Sequence, residues 1–145
     1  MKNKEKSDLL LKDLSPRLPF GVKIKFGDDS IETLKGIWYD EDEGWQVDGE
    51  KTSSCLFAVK PFLLPLSSMT EEQKIECFRG TDIELDEFNE IWSRFPISDT
   101  DIPITNLPNW LKVLDWLNSH YFDYRDLIGE DDNSIALNAT GLNIY

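Results

Sequence analysis

The sequence predicts an α+β protein: a short N-terminal helix, a small antiparallel β-meander curled toward an SH3-like half-barrel, and then three to four helices. Two observations predict this. Between Val22 and Val59 apolar side chains recur every second residue between turn-forming clusters, whereas from Thr70 to Ile128 they recur every third or fourth. Length and composition agree, since 145 residues with 40% of the AVILMFWYC set are enough for one core. Residues 1–66 form the helix-and-meander lobe and 67–145 an acidic helical lobe, the two packed as one domain.

In chain order, Ser7 caps an opening turn carrying Leu9, Leu10, Leu11 and Leu14, and Pro16 and Pro19 end it. Val22, Ile24 and Phe26 alternate with Lys23 and Lys25 as a half-buried strand, which Gly27-Asp28-Asp29-Ser30 turns. A second strand covers Ile31 to Tyr39, with Gly36 marking a bulge. Asp40 to Gly44 is a connecting loop, and Trp45 and Val47 lead into Asp48-Gly49, a two-residue hairpin signal. Cys55, Phe57 and Val59 continue the alternation until Pro61 removes a backbone donor and ends the ladder.

Thr70-Glu71-Glu72-Gln73 has the spacing of a capping box, so a helix starts there, turning Ile75 and Phe78 inward. Thr81 to Glu84 repeats the spacing ahead of Leu85, Phe88, Ile91, Trp92 and Phe95, and Glu90 and Arg94 stand in the favourable i,i+4 order. Residues 97–106 read as a loop. Leu107, Trp110, Leu111, Leu114 and Leu117 then trace one helical face behind Pro108; Trp116 lies off it and needs another cover. A last short helix spans Phe122 to Ile128, ahead of a polar tail from Glu130.

Fifteen Lys and Arg against 28 Asp and Glu give a net charge of −13, and the excess is uneven. Residues 1–60 carry 10 basic and 12 acidic groups, residues 61–145 carry 5 and 16. Such a balance disfavours duplex nucleic acid and anionic membranes, both of which need clustered cations. The basic N-terminus has an apolar run of only Leu9 to Leu11, and Pro61 to Met69 is too short and too rich in proline to span a bilayer. The expectation is a cytoplasmic protein.

No catalytic constellation emerges. His120 is the lone histidine, so mechanisms that use two imidazoles are excluded, and there is no G-x-S-x-G elbow, dinucleotide fingerprint or P-loop. Cys55 and Cys77 read as structural thiols. Asp40 to Glu43 fails as a calcium loop, with Gly44, Trp45 and Lys51 standing where an oxygen ligand, a glycine and a glutamate are needed; Asp131-Asp132-Asn133 has no defined ligand spacing either. We therefore expect no catalytic residue, no metal and no cofactor.

Candidate binding residues come from the aromatics. Trp38, Tyr39 and Trp45 flank the acidic loop on adjacent strands and could line a shallow groove that stacks nucleobases or holds a peptide, set against ordinary core packing. Trp116, His120, Tyr121, Tyr124 and Arg125 combine the residue types of an interface hot spot, set against a helix–turn–helix corner in which His120 caps one helix and Asp123 the next.

The segments Leu11 to Leu14, Arg17 to Val22, Ser67 to Glu72, Leu107 to Trp110 and Trp116 to Ile128 are similar, in order, to a family of small uncharacterised proteins of gut anaerobic bacteria and their phages or mobile elements. Where members of that family carry a cysteine after the first Asp-Leu, this chain has Ser15. The family has no assigned activity; the resemblance implies a phage-related setting. The function expected is a non-catalytic, acidic interaction protein that binds a protein partner. The alternative is a small-barrel module reading single-stranded nucleic acid or peptide through Trp38, Tyr39 and Trp45.

Overall fold

A computed structural model describes residues 2–95, 107–129 and 134–145, and its architecture is α+β. Helix α1 (Asn3–Leu14) buries Leu10, Asp13 and Leu14. It begins four residues before the expected Ser7 cap, because the Lys and Glu residues ahead of Ser7 favour helix well enough to extend it.

The expected second strand is two strands in two sheets. β1 (Lys23–Lys25) pairs antiparallel with β2 (Ile31–Thr33), while β3 (Gly36–Asp40), β4 (Gly44–Asp48) and β5 (Ser53–Cys55) make a separate antiparallel meander. Leu34, wholly buried, and Lys35 carry the chain from one sheet to the other. The Asp48-Gly49 hairpin also differs: Asp48 pairs with Ser53, so four residues turn. Glu32 holds them, its carboxylate accepting from the Lys51 and Thr52 amides at 2.6 and 3.1 Å and from the Thr52 hydroxyl. A Cβ on Gly49 would stand 2.6 Å from that carboxylate and 3.0 Å from the Phe26 ring, which is why glycine occupies the position.

Pro61 does not end the ladder. After a 3-10 turn over Leu56–Ala58, β6 (Lys60–Pro65) runs straight through it, paired antiparallel to β1 through Ile24↔Pro61. On the far side β6 is joined in parallel by β8 (Leu137–Asn138) and β7 (Phe122–Asp123), and that pairing starts only at Phe62↔Leu137, after the missing donor. β6 therefore separates two cores. Leu63 joins Leu10, Leu14, Ile24, Val47 and Ala136 on one side, and Leu64 packs with Phe88, Trp110, Val113 and Phe122 on the other, as the two-residue period of a strand requires.

The helical half starts as expected. Thr70 caps α2 (Glu71–Phe78) in a reciprocal capping box with Gln73, at 3.1 and 2.9 Å. Its buried residue, however, is Cys77, and Ile75 is 52% exposed. α3 (Leu85–Trp92) begins later than the Thr81 signal, because the Thr81 hydroxyl donates back to the Phe78 carbonyl and closes the preceding turn. Glu90 and Arg94 pair at 2.8 Å at the surface. α4 (Leu107–Ser119) buries Trp110, Val113, Leu114, Leu117 and Asn118, a face rotated from the expected one, so Leu107 and Leu111 are exposed. The loop expected at 97–106 and the acidic stretch 130–133 lie outside the described residues. None of the described helices is long and apolar enough to cross a membrane.

The short helix expected over Phe122 to Ile128 is absent. Tyr121 and Asp126 take positive φ, Phe122 and Asp123 enter β7, and both Asp123 carboxylate oxygens accept backbone amides, from Leu127 and Ile128, each at 2.9 Å. Side-chain acceptors here replace the carbonyls that a helix would have offered.

Candidate partner-binding site

The expected aromatics fall in two places. On β3 and β4, Tyr39 and Trp45 are direct cross-strand partners, and their rings meet edge to face at 5.2 Å. The Asp40 carboxylate fixes the connecting turn by accepting from the Asp42 and Glu43 amides at 2.8 and 3.0 Å, and Gly44 completes it at a φ of 80°. Facing this hairpin is one side of α1, on which Asn3, Lys4, Ser7 and Asp8 recur at helical spacing. Between them, with Phe57 and Glu43 as further lining, lies an open cleft of about 440 Å³. Trp38 points elsewhere: successive strand residues alternate faces, and its indole nitrogen donates to Asp48 at 3.1 Å.

The second place is the corner after α4. The His120 imidazole stacks on Trp116 at 3.9 Å, and its Nδ1 lies 2.9 Å from the Trp116 carbonyl and from the Ser119 hydroxyl. A carbonyl only accepts, so that bond requires the proton on Nδ1. The Phe122 ring lies parallel to Trp116 at 5.9 Å. These two rings are the cover that an off-stripe tryptophan needed. Tyr121 stacks on Tyr145 at 3.7 Å and donates its hydroxyl to the Phe20 carbonyl. The Tyr145 hydroxyl in turn donates to Phe62 O at 2.7 Å and accepts from Lys23 N at 2.8 Å; burial pushes both phenols above their ordinary pKa.

Tyr124 and Arg125 belong to a polar network beneath the corner that includes residues not anticipated from sequence. Asp13 and Arg17 are wholly buried and paired. Arg17 also donates to the Phe122 carbonyl at 2.7 Å, and Arg125 reaches both Asp13 and the Tyr124 hydroxyl at 3.0 Å. The Tyr124 hydroxyl continues to Asn118 at 3.1 Å, and both guanidinium groups lie against the Tyr124 ring. Asp123 stands at the edge of this network; burial raises its pKa, against the opposing pull of its two amide donors and of Arg17. The available signal was Asp13 and Arg17 standing four apart on the face that carries Leu10 and Leu14. Lys4, Asp8, Glu43 and Phe57 were equally unanticipated in the cleft.

Elsewhere the potential chemistry is dispersed. Cys77 is buried and its thiol pushed up to about 12 by that burial, while the Cys55 sulfur accepts from Gln46 at 3.5 Å. Among the described residues no group of three or more His, Cys, Asp or Glu side chains is arranged to hold a metal. No family model, curated protein or solved structure matches the chain.

Proposed function

We propose that the protein is an acidic interaction module that docks on a basic surface of another protein, in the phage- or mobile-element setting that its sequence resemblance implies. The observation that carries this reading is the placement of the carboxylates. Glu71, Glu72 and Glu76 of α2, Asp86 and Glu90 of α3, Asp115 of α4 and Asp126 all stand exposed, while half-buried His120 rests on Trp116 and Ser119 and, among the described residues, no carboxylate is bonded to it. Separated, solvated carboxylates steer a cationic partner and select against anionic ones.

The test is affinity capture from an anaerobic host, with and without phage induction, followed by reconstitution with the purified partner. The complex should weaken steeply as salt rises from low to physiological strength, since the exposed charges are screened over about 8–10 Å. An affinity indifferent to salt rejects the reading.

A further inference from the structure

We infer that the cleft between α1 and the β3–β4 hairpin is the anchor point of that docking, and that it receives an arginine or lysine side chain of the partner. The inference rests on the acidic-docking reading and adds a place and a chemistry to it. Three aromatic residues line the cleft: Tyr39 and Trp45, held edge to face, and Phe57. Rings set at 65° to one another present π-faces in more than one direction, which is what a cation needs for contact with more than one of them. The volume of about 440 Å³ exceeds what one side chain fills, so flanking peptide enters with it.

Charge selects the occupant. The lining holds the Asp8 and Glu43 carboxylates against the single Lys4 ammonium, and the exposed Glu41 and Asp42 of the adjoining turn add to the negative side. A nucleic-acid strand would stack on the same rings but would bring its phosphates against those carboxylates. A guanidinium or ammonium group meets ring faces and carboxylates together, and both attractions act on the same cation.

The experiment titrates the full chain with acetyl-Gly-Gly-Arg-Gly-Gly-amide and with its neutral citrulline counterpart, following the Trp45 indole resonance, assigned with W45F. The arginine peptide should shift that resonance and bind roughly tenfold more tightly than the citrulline peptide, and Tyr39→Ala should weaken it by a similar factor. If Tyr39→Ala fails to fold, Asp8→Asn with Glu43→Gln, both exposed, makes the same test. Equal binding of the two peptides, or shifts confined to residues outside the cleft, overturns the inference, as does tighter binding of a single-stranded oligonucleotide at Trp45. A polylysine probe separates the two readings. Salt-sensitive binding of polylysine that is undiminished in the cleft variants leaves the acidic-docking reading standing and removes the cleft from it. No binding to wild-type protein removes both.

Discussion

Asp13 and Arg17 form a wholly buried ion pair, with two contacts of 3.2 and 3.1 Å between guanidinium and carboxylate. The same Asp13 carboxylate also accepts Arg125, so one buried anion holds two cations from opposite ends of the chain.

Replacing Asp13 by Ala leaves Arg17 charged in the interior without its partner. Breaking a buried pair from one side costs about 3–5 kcal/mol, so Asp13→Ala should be among the most destabilising single changes. Asp13→Ala combined with Arg17→Met should recover part of the loss, because it removes the charge stranded at the wholly buried position, while Arg125 keeps its contact with the Tyr124 hydroxyl. Denaturant melts of the three variants check this; a double variant no more stable than Asp13→Ala contradicts it.

Tyr145→Phe keeps the ring on Tyr121 but deprives Phe62 O of its donor and Lys23 N of its acceptor. A loss of about 0.5–1.5 kcal/mol is expected, the net worth of a hydrogen bond where water reaches the backbone groups left behind. Hydrogen exchange at the Lys23 amide should accelerate in the same variant.

Acid should act on Glu32 and Asp123 with opposite signs. The Thr52 hydroxyl, followed by the Lys51 amide, holds the Glu32 carboxyl below its ordinary 4.5. Its contribution is therefore present above that value and lost as pH falls through the depressed folded value. Asp123 is raised above 3.8 by burial, so the folded state binds its proton more readily, and its ionisation lowers stability as pH rises through that interval. The stability difference between wild type and Glu32→Gln should accordingly shrink on going from neutral pH to about pH 3, as measured by urea melts. A constant difference contradicts the assignment.

Cys77 should resist alkylation in the native protein near neutral pH, since burial holds its thiol protonated up to about 12, while partly exposed Cys55 reacts first. Mass spectrometry of iodoacetamide-treated protein, before and after denaturation, identifies the order.

The features legible in the sequence were those whose partners are close along the chain. Thr70 and Gln73 are three apart, Glu90 and Arg94 four, and His120 caps the helix that it ends. Tyr39 and Trp45 come together across a short turn, so their pairing was readable too. Distant partners hid the rest. In place of the helix expected after Phe122 stands β7, whose strand partners Leu64 and Pro65 and whose Arg17 donor to the Phe122 carbonyl all lie far earlier in the chain. Ile31 to Tyr39 splits because its two halves pair with β1 on one side and β4 on the other. The α1 side of the cleft was missed for the same reason, since nothing local links Lys4 and Asp8 to Trp45.

The parallel ladder on β6 bears on how the chain reaches this state. Phe62 must wait for Leu137, so the flank of β6 stays open while α2, α3 and α4 are being synthesised. Loop closure over that span makes it a late event in folding, and until then an unpaired strand margin invites association with other nascent copies. Chaperone demand during synthesis should fall once the residues of β8 emerge.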